Sequence, residues 1–110
     1  NFEYEFKKSR SVFINKYSEG GYFNKHRDDY NVEPHWVKRY KTLIIQLSDT
    51  SEYSGGNFLV DDIIMNKEVG NCILFDASTY HELTKIESGM RYSITLFLDR
   101  DDINEPKELL

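Results

Sequence analysis

The stretch "YFNKHRDDY", residues 22–30, places a histidine and an aspartate two apart, just after the Gly20-Gly21 pair. On a strand this spacing puts His26 and Asp28 on one face and close together. A metal held by a histidine and a carboxylate then lacks one protein ligand, which must come from a distant part of the chain. Only His35 and His81 remain. His35 lies in residues 29–39, which lack a strand pattern and read as a loop, a poor place for a rigid ligand. His81, in "DASTYHELTKI", opens a segment that follows the apolar run "NCILF". A bare H-x-D is common by chance, and a lone His81 reads equally as a surface or hydrogen-bonded histidine.

Two histidines and a carboxylate on one side of a metal leave about three octahedral positions open, as in the facial triad of non-haem iron enzymes. An enclosed structural zinc site leaves none. Ten residues after His81 stands Arg91, leading the alternating run "RYSITLFL" with Ser93 and Thr95 on its face. A guanidinium pointing inward requires an anion, because burying it unpaired is costly. A carboxylate gripped bidentately beside a hydroxyl satisfies that need. The alternative is an exposed arginine on an edge strand, and local pattern does not separate the two.

The elements that must position these groups read as strands. "SVFINKY" (11–17), "YKTLIIQLSD" (40–49), "NCILF" (71–75) and "RYSITLFL" (91–98) carry the clearest signals, by β-branched and aromatic content and by alternation. In the second of these, Thr42, Ile44 and Gln46 share one face. Residues 2–8, 57–62 and 81–86 are weaker candidates. Gly20-Gly21, Ser54-Gly55-Gly56, Val69-Gly70-Asn71 and Ser88-Gly89 punctuate them as turns. No segment carries an apolar period of about 3.6 residues, and the terminal "DDINEPKELL" reads as one helical turn or a frayed end. Many short, regularly spaced strands predict an all-β jelly roll with few or no helices.

Length and composition bound the rest. A chain of 110 residues holds one domain and one core. A net charge of −5 disfavours nucleic acid as a general partner, and no apolar run approaches membrane length. Cys72 is the sole cysteine, so no intrachain disulfide forms, and a reducing, cytoplasmic setting is expected. With nothing nearby to lower its pKa, Cys72 is expected to be a buried packing residue. Gly55-Gly56 is expected to serve a tight turn, and Asp29 to point away from the metal.

The order "YSEGGYFNKHRDD", then "YKTLIIQLSDTSEYSGGNF", then "GNCILFDASTYHELTKIESGMRYSITLFL" closely resembles the iron(II)- and 2-oxoglutarate-dependent oxygenases of the prolyl 4-hydroxylase-like branch. The resemblance runs over about residues 12–98. It implies a double-stranded β-helix in which His26, Asp28 and His81 ligate Fe(II) and Arg91 pairs with the far carboxylate of 2-oxoglutarate. Ser93 stands beside Arg91; Tyr17, opening the Y-x-x-G stretch, and Gln46 match further co-substrate contacts. Tyr22 and Phe23 fall near the mouth of such a site, and Trp36 in the loop that folds over substrate; both features are equally those of rim aromatics and an ordinary surface loop.

The implied activity is hydroxylation of an unactivated C–H bond, on a prolyl side chain of a peptide or protein or on a small molecule, coupled to decarboxylation of 2-oxoglutarate to succinate. It uses dioxygen, with ascorbate as an optional reductant. In related halogenases a small residue replaces the carboxylate ligand; Asp28 fills that position, which favours hydroxylation. Members usually carry helices ahead of the barrel, and none is visible in residues 1–110. Tyr92, Ile94, Leu96 and Leu98 should therefore form an outward apolar row awaiting cover from the termini, a homodimer partner or an absent N-terminal extension. Two competing readings remain: a catalytically inactive metal-binding jelly-roll module for binding or sensing, and a cupin-like enzyme without 2-oxoglutarate. The second leaves Arg91 without a role.

Overall fold

The structure, a computed structural model, describes residues 5–6, 11–29, 39–99 and 103–104. The expected lid, with His35 and Trp36, lies outside the described residues.

Two four-stranded antiparallel sheets face each other. The major sheet runs β2 (Ser11–Tyr17), β11 (Arg91–Leu98), β4 (Lys41–Gln46), β8 (Cys72–Asp76). The minor sheet runs β3 (Phe23–His26), β9 (His81–Leu83), β6 (Phe58–Val60), β7 (Ile63–Ile64). Two short pairs complete the set: β5 (Tyr53–Gly55) with β10 (Ile86–Gly89), and β1 (Glu5–Phe6) with β12 (Ile103–Asn104). This is the expected jelly-roll architecture. Among the described residues the helical content is one 3-10 turn, Thr50–Glu52, where the Asp49 carboxylate accepts from the Ser51 N–H and the Glu52 carboxylate from the Asp49 N–H. No helix among the described residues is long and apolar enough to cross a membrane.

Alternation decides which side chains meet between the sheets. Ile44, Ile73 and Phe75 from the major sheet pack on Phe58, Val60 and Leu83 from the minor one, with Tyr17, Phe23 and Met65 at the margins. Phe58 and Leu83 are each 1% exposed, a burial that contributes about 2–3 kcal/mol per side chain. The same parity carries a polar row inward on the central strands: Thr42 and Gln46 on β4, and Arg91, Ser93 and Thr95 on β11 are all buried. β11 pairs β2 on one side and β4 on the other, so Arg91 begins a strand locked along both edges.

The structure departs from expectation at several positions. β5 (Tyr53–Gly55) and β10 (Ile86–Gly89) run into Ser54-Gly55 and Ser88-Gly89, which the sequence marked as turns. Glycine signals marked them as breaks, but the glycines serve strand pairing at close range. At Gly55 (φ +71°) a Cβ would collide with the Lys85 carbonyl. Cys72 is exposed, because Ile73 and Phe75 take the inward positions of edge strand β8. The outward row on β11 is partly covered: Tyr92, Ile94 and Leu96 are half-buried and Leu98 is buried at 1% exposure. The open part of that face lies on β2, where Val12 and Ile14 are 57% and 74% exposed. Of the terminal segment read as one helical turn or a frayed end, Ile103–Asn104 is a strand, and the rest lies outside the described residues.

Gly55→Ala combines a left-handed backbone with a backbone collision. It is expected to destabilise the protein by about 2–4 kcal/mol, measured as a lowered midpoint in urea unfolding with an unchanged slope.

Candidate metal and anion site

His26 ends β3 and His81 begins β9, directly opposite it in the ladder. Their rings stand 4.4 Å apart between centroids. Asp28 lies just past the end of β3, not on it, and its N–H donates to the Ala77 carbonyl at 2.9 Å. That bond turns the chain so that the carboxylate faces both rings. Asp28 Oδ1 is 3.4 Å from His26 Nε2 and 3.3 Å from His81 Nε2. The neighbouring Asp29 is exposed and pairs with Arg27, as its parity suggested.

Each imidazole is oriented by its own strand. Nδ1 of His26 lies 2.7 Å from the Asn24 carbonyl and Nδ1 of His81 lies 2.9 Å from that of Thr79. A carbonyl can only accept, so each Nδ1 carries the proton and each Nε2 presents its lone pair. Two lone pairs and a carboxylate oxygen thus converge, with all three donor atoms within 4.8 Å of one another. Adjacent ligands of an ion with bonds of about 2.1 Å stand about 3 Å apart, so the group fits a divalent cation. His81 is 3% exposed and His26 is exposed, which leaves one side of the triad open.

Thr42 was not singled out as a site residue, yet its hydroxyl donates to Asp28 Oδ2 at 2.6 Å. This occupies one carboxylate oxygen and leaves Oδ1 facing the two Nε2 lone pairs. Burial alone would raise the Asp28 carboxyl, but hydrogen bonds from His81 and Thr42 and the charges of both imidazoles, the ring contributions present only when Nε2 also carries a proton, hold it below the usual carboxylate range. Arg39 was also missed. Its guanidinium donates to the Asp28 carbonyl at 3.3 Å and rests on the Phe97 ring at 3.6 Å. The only sequence signal for Thr42 was a polar residue at an inward position of an apolar strand; Arg39 had none.

Arg91 is 2% exposed. It donates to Gln46 Oε1 at 3.1 Å and to Ser93 Oγ at 3.5 Å, both neutral acceptors. The rings of Tyr17 and Phe58 each lie 5.9 Å from its Cζ. Among the described residues no carboxylate pairs with it, and burial pushes the guanidinium below its ordinary range, with Tyr53 and Tyr17 opposing. Burial likewise raises the Tyr17 hydroxyl, against the pull of Arg91.

A cavity of about 350 Å³ joins the two groups. His26, Asp28, His81, Arg91, Ser93 and Tyr17 all border it, with Phe13, Asn15, Phe23, Thr42, Ile44, Thr95 and Phe97 completing the wall. Gln46 does not border it and acts on Arg91 from behind. Tyr22 is 58% exposed and lines a separate groove with Lys25, Glu82 and Lys85.

A jelly roll in which one cavity is bordered by an open His-Asp-His cluster and a buried arginine offers adjoining seats to a divalent cation and an anion. The particular family follows from comparison: residues 12–99 match the 2OG-Fe(II) oxygenase superfamily, and the chain belongs to it. A PKHD-type hydroxylase of Pseudomonas putida (strain F1) is 30% identical over 100 residues, covering 81% of this chain and 44% of the relative. Another, from Aliarcobacter butzleri, is 29% identical over 89 residues, covering 74% and 39%. The chain thus spans less than half the length of these curated relatives. Among solved structures, a Pseudomonas putida prolyl-4-hydroxylase superposes with a TM-score of 0.67 at 18% identity, covering 81% of this chain and 51% of that one. A 2OG-Fe(II) oxygenase family oxidoreductase from Burkholderia pseudomallei gives 0.68 at 21%, covering 87% and 45%. The prolyl-hydroxylase-like resemblance and the fold drawn from it are borne out.

Thr42→Val removes the bond that holds Asp28 without touching a donor atom. Metal affinity is expected to fall about tenfold, measured by equilibrium titration with Mn(II) or Co(II).

Proposed function

We propose that this chain is the catalytic core, over residues 1–110, of a 2-oxoglutarate-dependent dioxygenase that hydroxylates an unactivated C–H bond. His26, Asp28 and His81 hold Fe(II), and Arg91 receives the far carboxylate of 2-oxoglutarate. The observation that carries the reading is one cavity uniting three convergent ligand atoms with a buried guanidinium that no carboxylate among the described residues pairs. A bidentate carboxylate relieves that charge. Ser93 and Tyr17 border the same end and offer hydroxyls to the ligand.

Bound in this triad, Fe(II) with dioxygen and 2-oxoglutarate supplies the oxidising chemistry, and ascorbate serves as an optional reductant. The chain's own residues orient the reactants and exclude water. Phe23, Phe58 and Phe75 surround the His81 ring at centroid distances of 6.0, 6.0 and 4.8 Å, an apolar collar on the metal side. Phe13 and Phe97, edge to face at 5.7 Å, line the cavity near Asp28, where Arg39 stacks on Phe97 and donates to the Asp28 carbonyl. That wall suits an apolar group of prolyl size, which accords with the names of the matching relatives. A prolyl side chain in a peptide or protein is the proposed substrate. The lone cysteine suits a cytoplasmic setting, and the open apolar face on β2 suits a homodimer.

Anaerobic titration of the Fe(II)-loaded protein with 2-oxoglutarate tests the reading through the weak visible charge-transfer band of the chelate. The wild type is expected to show the band, His81→Ala to lose it, and Arg91→Ala to need about a hundredfold more 2-oxoglutarate. A folded, iron-loaded wild type without the band would establish the inactive binding module instead. Incubation with dioxygen and proline-containing peptides is expected to give succinate together with a peptide heavier by one oxygen atom, read by mass spectrometry.

A further inference from the structure

Asn15 and Thr95 form a polar pair in the cavity that neither the metal triad nor the anion seat uses. The β2–β11 register sets Tyr17 opposite Arg91, Asn15 opposite Ser93 and Phe13 opposite Thr95, and these six side chains line one wall. Asn15 reaches diagonally across to Thr95, its Nδ2 donating to Oγ1 at 2.7 Å. That bond fixes the plane of the carboxamide. Among the described residues it leaves unengaged the Asn15 Oδ1 acceptor, the second Nδ2 proton and the Thr95 hydroxyl proton. Thr95 is 9% exposed and Asn15 is half-buried, so a ligand that covers these groups without meeting them leaves them unpaired at a cost.

The sheet register separates this pair from the anion end. Thr95 stands four residues, about 14 Å, along β11 from Arg91. On its other edge β11 sets Thr95 against Ile44 and Phe97 against Thr42, and Thr42 holds the Asp28 carboxylate. The pair therefore faces the metal end, beside Phe13, which is 47% exposed and marks where the cavity meets solvent. An acceptor flanked by donors is what one residue of an extended peptide needs, since its N–H and C=O point to the same side. A prolyl nitrogen carries no proton, so the N–H that fits belongs to a neighbour of the proline. We propose that Asn15, held by Thr95, is a specificity-determining residue that reads the substrate's main chain. Its Oδ1 accepts the N–H of a residue next to the target proline, and the free Nδ2 and Thr95 protons donate to that residue's carbonyl. This rests on the reading of the chain as a hydroxylase of prolyl groups. It makes the substrate an extended peptide or protein segment, because free proline lacks that neighbour.

Binding to the Mn(II)-loaded protein saturated with 2-oxoglutarate tests this, read by NMR from the broadening that the metal imposes on ligand protons. The probes are acetyl-glycyl-prolyl-glycinamide and two analogues in which an ester oxygen replaces the N–H of the first or the second glycine. The wild type is expected to bind one analogue about tenfold more weakly than the peptide, because Oδ1 then stays unpaired. Asn15→Leu is expected to bind that analogue and the peptide within about twofold of each other, and to keep its 2-oxoglutarate affinity within about twofold of wild type. Thr95→Val keeps the side-chain shape and removes a donor to the carbonyl. It is expected to weaken peptide and analogues alike by about threefold with 2-oxoglutarate unaffected, and it carries the test if Asn15→Leu does not fold. If the bond only staples β2 to β11, the variants lose peptide, analogues and 2-oxoglutarate equally, and that result overturns the proposal. Unchanged peptide affinity in Thr95→Val also overturns it. So does a wild type that binds all three probes alike, which leaves the hydroxylase reading standing. A wild type that forms the iron chelate yet binds none of the probes removes the prolyl-peptide reading and this one with it.

Discussion

Arg91 carries a charge that water does not reach and that no described carboxylate neutralises. Removing a guanidinium from water costs several kcal/mol unless an anion returns it, and the barrel is built around that debt. The arginine opens a strand pinned on both edges, so it cannot swing out to solvent. Neutral oxygens from Gln46 and Ser93 take some of its protons, enough to orient the guanidinium and too few to satisfy it. An anion bound at Arg91 would stabilise such a folded state, because it would pair a charge that the described residues leave unpaired.

The two sheets divide the work. The minor sheet and the bend after it supply His26, His81 and Asp28, two by direct cross-strand pairing and one by a backbone bond to Ala77. The major sheet supplies Arg91, Ser93 and Tyr17. Thr42 links the halves, since it belongs to the major sheet and holds the carboxylate that follows the minor one. The spacing between metal and anion ends is therefore set by how the sheets pack, through Phe58, Ile44 and their neighbours, and a close-packed interface transmits small shifts with little slack.

Much of this was legible along the chain. The strands 11–17 and 91–98 fall where alternation put them, because one apolar face against one polar face is a local pattern. That Arg91 and Ser93 share a face, and Thr42, Ile44 and Gln46 another, followed from the same alternation; which way Arg91 points did not, and the structure turns it inward. Glycine-marked breaks were read less well: β5 and β10 hide in them, since a glycine signals close backbone approach as readily as a turn. Cys72 was misplaced because a short apolar run does not say which of its faces a sheet will cover.

The sequence by itself determined the ligand types, their order and the strand faces that carry them, because these depend on residue chemistry and a period of two. Tertiary structure alone decided the rest. It set Asp28 beyond its strand yet against both imidazoles, and recruited Thr42 and Arg39 to hold it. Such supports join residues far apart in sequence, whose side chains meet only once two sheets close on one another, and no local pattern records that meeting.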